Sequence, residues 1–203
     1  MLIGSDELNS YDRFYRANLV NSLSGFKSAS LIGTKSETGI TNLAIFSNIV
    51  HLGADPALIG FVNRPREAAP HTLKNIEATG FYTINHIHTN WIEKAHQTSA
   101  KYADNVSEFD ACGFEEEYLN NFPAPFVKES AIKYGMKLIE VIPIRHNNTF
   151  FVIGELQMMY VPEDIISSDG FLAIEKANSC SSLGIDAYYK AEKIVRLPYA
   201  KAK

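Results

Sequence analysis

The stretch Thr41–Asn63, TNLAIFSNIVHLGADPALIGFVN, decides how this chain is read. It holds two strand-like apolar runs on either side of the turn signal Gly53-Ala54-Asp55-Pro56. A half-buried strand normally alternates, with its polar side chains on the solvent face. Here Thr41, Asn42, Ser47 and Asn48 instead mix with Leu43, Ala44, Ile45 and Phe46. The second run ends on Asn63 and delivers Arg64 and Arg66 to Pro70-His71-Thr72, which opens a short helix. Small polar side chains beside two guanidinium groups and a helix start suit a flat, partly aromatic ligand with a phosphate at one end.

Working outward, Ser28–Lys35 reads as a strand and Glu37-Thr38-Gly39 as the hairpin turn into a strand over Thr41–Ile49. Ala57–Asn63 is the third strand. Thr72 is the expected cap of the helix, Leu73 and Ile76 its apolar stripe, and Gly80 its stop. Phe81–Ile87 reads as a strand and Trp91–Ala103 as a helix. Two more strands are expected at Met136–Ile142 and Phe150–Tyr160, with a mixed or helical stretch over 163–187. Residues 104–130 are the least regular part, with Gly113, Pro123, Pro125, three consecutive glutamates and five aromatics. They read equally as a lid over a pocket and as a surface excursion anchored by its own aromatics. Six or more consecutive strands joined by short turns predict a mainly β, antiparallel small barrel decorated with helices. With no repeat and no low-complexity linker, one domain over 1–203 is expected.

Composition narrows the function. A net charge of −4 speaks against a nucleic-acid partner or an anionic membrane surface. No apolar run approaches the roughly 18–20 residues that span a bilayer, and the first residues carry no apolar signal core, so a cytoplasmic location is expected. Cys112 and Cys180 are far apart and read as two reduced thiols. His86 and His88 share a strand face with His96 eight residues beyond, but no fourth ligand accompanies them, so no metal is expected.

Four pieces together resemble the flavin reductase-like family. They are Asn42-Leu43-Ala44-x-Phe46-Ser47; Asp55-Pro56-x-Leu58-Ile59-Gly60-Phe61; Thr72-Leu73-x-Asn75-Ile76-x-x-Thr79-Gly80; and Tyr82-Thr83-Ile84-Asn85. Phe151–Leu156 resembles the family's late strand. The resemblance implies an antiparallel FMN-binding split β-barrel. It implies a homodimer with FMN near the interface, and transfer of hydride from NADH or NADPH to that flavin, often to supply a partner oxygenase or another electron acceptor. The alternatives on the same barrel are an FMN electron carrier or redox sensor and, ranked last, an oxidase of the pyridoxamine-phosphate type. The chemistry would lie in the isoalloxazine ring, with the protein supplying binding and orientation.

Carried over residue by residue, Thr41, Asn42, Leu43, Ala44, Ser47 and Asn48 match the strand that meets the flavin ring, Leu43 and Ala44 through their backbone. Asn63, Arg64 and Thr72 match ribityl and phosphate contacts, with Arg66 and Lys74 as substitutes for Arg64. Asn85, Gln97 and Thr98 match later flavin contacts. A Gly-Asp-His element that relatives place near the nicotinamide is missing. Asn148 and Thr149 stand at its Asp and His positions, and His146 fills the role only if the loop is longer here. An early Pro-Arg-Pro element is replaced by Gly25-Phe26-Lys27.

Overall fold

The computed structural model describes residues 1–202. Two helices come first, α1 (Ser5–Ser10) and α2 (Arg13–Leu23), and neither buries a residue. Asp12 starts the second by accepting hydrogen bonds from the N–H groups of Phe14 (2.8 Å) and Tyr15 (3.3 Å), the usual service of an N-cap carboxylate. The expected first strand is divided at Ala29 into β1 (Lys27–Ser28) and β2 (Ser30–Lys35). Then follow β3 (Thr41–Phe46), β4 (Val50–Ala54), β5 (Ala57–Asn63), α3 (Pro70–Thr79) and β6 (Phe81–His86). The middle of the chain holds α4 (Ile92–Gln97), α5 (Glu108–Cys112), β7 (Glu116–Glu117) and β8 (Phe126–Val127). Two long strands, β9 (Lys133–Ile144) and β10 (Thr149–Tyr160), precede the final hairpin of β11 (Cys180–Leu183) and β12 (Ala187–Lys190).

Seven strands make the main sheet in the order β3-β2-β6-β9-β10-β5-β4, and every pairing in it is antiparallel. The mainly β, antiparallel expectation therefore holds. A second sheet, β1-β11-β12, brings the carboxyl-terminal hairpin beside the start of the barrel strands. The principal core packs Ile32, Phe61, Leu73, Ile76, Tyr82, Ile84, Met136 and Val152 between the sheet and α3. Another gathers Leu31, Leu43, Ile87, Ala95, Phe109 and Phe114, so it ties α4 and α5 to the sheet's β3 end.

Three local readings need correction. The strand expected over Thr41–Ile49 ends at Phe46, and a separate strand β4 follows. That strand lies at the sheet edge with Val50 and Leu52 both about 42% exposed, so it shows none of the alternation that marks a half-buried strand. Thr72 does not cap α3. The helix starts two residues earlier with Pro70 at its first position, where a missing N–H costs nothing, and Thr72 is buried inside it. Gly80 does end that helix, in the left-handed conformation at φ 77°.

The helix expected over Trp91–Ala103 stops at Gln97. Thr98 returns its hydroxyl to the Ala95 carbonyl (2.8 Å), and successive N–H groups drop to three-residue spacing. The stretch 163–187 is mixed, as expected, with two single helical turns followed by β11. No helix among the described residues is long and apolar enough to cross a membrane.

Candidate functional site

Strand β3 sets the site, and it is one of the two free edges of the seven-stranded sheet. Its Asn42 and Ala44 side chains, with Ile45, Phe46, Ser47 and Asn48, form one wall of a cavity of about 300 Å³. The start of α3 faces them through Pro70, His71 and Thr72, beside Arg64. Thr98, Ser99 and Lys101 close a third side, and Ser182, Ile185 and Tyr188 of the last hairpin a fourth. Glu108 and Tyr102 complete the lining from the middle segment.

Of the expected contacts, Asn42, Ala44, Ser47, Asn48, Arg64, Thr72 and Thr98 meet around this one space. Asn42 donates to the Thr72 hydroxyl at 3.2 Å, which locks β3 to α3. Asn48 exchanges two hydrogen bonds with the backbone of Val62, donating at 2.8 Å and accepting at 3.1 Å, so it holds the chain after β3 against the end of β5. Arg64 is exposed and, among the described residues, pairs with no carboxylate. It sits beside the unsatisfied N–H groups and positive dipole end of a ten-residue helix. Arg66 is engaged elsewhere: it grips Glu77 at 2.6 and 2.7 Å and lies over the Phe150 ring. Lys74 lies one helical turn on, in a smaller neighbouring hollow of about 220 Å³.

The other expected residues lie off the main cavity. Thr41 lines the smaller hollow and bonds Ser107 (2.7 Å) and Glu116. The Leu43 side chain is in the core, and its N–H is taken by the Glu108 carboxylate at 3.0 Å. In an antiparallel ladder alternate residues turn their N–H groups to the same side. Ile45, two residues on, therefore presents its N–H along this free edge, and it lines the cavity. Asn63 is buried, its amide donating to the Arg64 carbonyl.

Asn85 is fully buried and spent on structure. It donates to Leu31 and Thr83 and accepts from the Val127 N–H, which pins the middle segment to the sheet. Gln97 is exposed and donates to Tyr102 (3.1 Å). His146 lies in the exposed turn between β9 and β10, with Asn148 beside it at φ 57°.

Sequence reading missed the fourth wall and Glu108. Tyr188 holds His96 through a 2.8 Å hydrogen bond, and burial beside Cys180 pushes the phenol up to about 12, so it stays a neutral hydroxyl. Ser182 is nearly inaccessible and its hydroxyl has no partner. Glu108 came from a segment with no periodicity to read, so no pattern flagged it. His86 bonds Ser179 and His88 receives the Asn90 N–H, so with His96 on Tyr188 the three histidines point to separate partners. Among the described residues, no group of three potential metal ligands exists.

These residues fit a flavin nucleotide. An unpaired arginine and a helix start suit a phosphate. Ala44 on β3 and Ser47 just after it are small enough to admit a ring close to a backbone edge.

A family model for the flavin reductase like domain matches residues 26–175. A protein from Shewanella frigidimarina, assigned as a flavin reductase with a split barrel domain, is 47% identical with a TM-score of 0.95, over 98% of this chain and all of that one. Nitrilotriacetate monooxygenase component B from Bacillus cereus superposes with a TM-score of 0.85 at 19% identity, over 97% and 98% of the two chains. The flavoredoxin of Desulfovibrio vulgaris superposes at 0.75 and 21% identity, over 88% of this chain and 93% of that one. With the domain model matching most of its length, and a split-barrel relative superposing along nearly all of it, this chain belongs to the flavin reductase-like family.

Proposed function

We propose that the chain binds FMN in this cavity and works as an NAD(P)H-dependent flavin reductase. The observation that carries the reading is the pairing of ends: unpaired Arg64 with the α3 start at one, the free β3 edge with small side chains at the other. Arg64 and the first N–H groups of α3 hold the phosphate. Ala44 and Ser47 leave room for the ring, and the Ile45 N–H meets one of its carbonyl groups. Bound flavin accepts a hydride from a nicotinamide and passes electrons to an acceptor. The protein needs no acid or base for the hydride step, so its work is to bind, orient and shield.

The assembly we propose is a homodimer with the flavin near the shared face. Ile139 and Ile142 on β9 and Met159 on β10 stand 52%, 40% and 60% exposed, apolar side chains that a partner surface would cover. A second reading, an FMN electron carrier, is favoured by the placing of His146 off the cavity.

Anaerobic mixing with NADH and with NADPH decides between the two. A yellow protein whose flavin band bleaches with either nucleotide is a reductase. A yellow protein that bleaches with neither is a carrier. A colourless protein that takes up no FMN on titration overturns both.

A further inference from the structure

Glu108 is the one acidic side chain of the cavity wall that is almost wholly buried, at 5% exposure. Three contacts fix its place. Phe109, its neighbour, is fully buried in the core behind β3. Ser107, on the other side, bonds Thr41 at the start of β3. The carboxylate Oε2 accepts the Leu43 N–H at 3.0 Å. The middle segment thus carries one carboxyl group onto the free edge of the strand that faces the ligand.

That carboxyl has no ion pair, and the nearby His71 ring bonds Asp104 at 3.0 Å instead. Burial pushes it above the usual carboxylate range. No other side chain donates to the carboxylate, and Glu108 lines the cavity. A buried carboxylate without a counter-charge is costly, and such groups persist where a ligand completes them.

The polar edge of a flavin ring reads acceptor, donor, acceptor: two carbonyl groups flank one ring N–H. Along β3 the Ile45 N–H is a donor for a carbonyl, and the wall needs an acceptor for the ring N–H. The geometry points to Glu108 as that acceptor, a positioning residue that recognises the ring N–H through Oε1 while Oε2 stays on Leu43. This rests on the flavin reading above. Its consequence is electrostatic. Reduction adds negative charge to the ring, and a carboxylate in contact opposes it. Glu108 holds the flavin potential down, so the reduced cofactor becomes a stronger donor.

The test compares the wild-type protein with Glu108→Gln, which keeps an acceptor for Leu43 and so keeps the fold. FMN and riboflavin are titrated by fluorescence quenching, and the flavin potential is measured against a reference dye. The role predicts binding about threefold to tenfold weaker for both flavins and a potential shifted upward. Arg64→Ala, by contrast, weakens FMN and spares riboflavin. Unchanged binding and potential in Glu108→Gln, with flavin bound normally by the wild type, overturn the Glu108 role alone. Wild-type protein that binds neither flavin overturns the flavin reading and the role together.

Discussion

Arg66 and Glu77 close a two-pronged ion pair, with nitrogen–oxygen distances of 2.6 and 2.7 Å, on the outer side of α3. The pair removes Arg66 from any competition for a phosphate, because both of its terminal nitrogens are committed. It leaves Arg64 as the free guanidinium beside the helix start.

Arg64→Ala is therefore expected to weaken FMN binding at least tenfold, about 1.5 kcal/mol for a charge-assisted bond at an exposed site. Arg66→Ala is expected to leave FMN binding within twofold and to lower stability by no more than about 1 kcal/mol. Flavin fluorescence titration and thermal unfolding of both variants check this. Equal losses of binding would show that the phosphate does not sit at Arg64.

Ser182 gives a prediction that separates stability from binding. Its buried hydroxyl has no partner in the protein alone, and an unsatisfied buried hydroxyl costs about 1–3 kcal/mol. Ser182→Ala should raise the melting temperature of the flavin-free protein, or at least not lower it. The same variant should bind FMN within twofold of the wild type, because the hydroxyl is sealed from the cavity. A loss of stability without flavin would mean that ordered water already satisfies the hydroxyl.

His86 makes the fold sensitive to acid. Burial against the Tyr134 ring holds its imidazole down to about 4, well below the 6.5 of an exposed histidine. The unfolded chain thus takes up this proton first as pH falls. The sign follows: stability is intact above about pH 6.5 and declines as pH drops from there towards about 4, by a few kcal/mol in all. His86→Phe removes the titration. The difference in melting temperature between wild type and variant should be flat above pH 6.5 and should move against the wild type below it. A difference that is constant from pH 4 to 8 would rule out His86 as the source.

Much of this fold was legible because its signals are local. Strands β2, β5, β6, β9 and β10 announce themselves by β-branched and aromatic runs between turn residues, and Gly80 stops α3 as its sequence demands. The site was half legible for a different reason. The small polar residues of β3 and the lone arginine belong to motifs with fixed spacing. Asn85 belongs to the same motifs, but here its amide is consumed by Leu31, Thr83 and Val127, a use set by long-range packing. Glu108, Ser182 and Tyr188 lie 65 to 146 positions beyond Leu43 and Asn42 in a chain whose topology folds them back. No local pattern encodes such a meeting.

Tyr82 and Gly154 supply the sharpest test of the core that carries the site. The Tyr82 ring packs against Phe61, centroids 5.6 Å apart, and its hydroxyl ends without a partner against the bare α-carbon of Gly154. A Cβ at 154 would collide with that hydroxyl and would also come within 3.0 Å of the ring carbon Cζ and 3.1 Å of the Lys137 carbonyl. Backbone on one side and a fully buried ring on the other leave little room to yield. Gly154→Ala should cost about 1–3 kcal/mol by overpacking. Tyr82→Phe should be neutral or mildly stabilising, since it removes an unsatisfied buried hydroxyl. The double variant should recover part of the Gly154→Ala loss, because the collision with the oxygen is gone while the approach to the ring and to Lys137 remains. Chemical denaturation of the two single variants and the double measures the coupling directly. Strict additivity would show that the Tyr82 hydroxyl is not what forbids a side chain at 154.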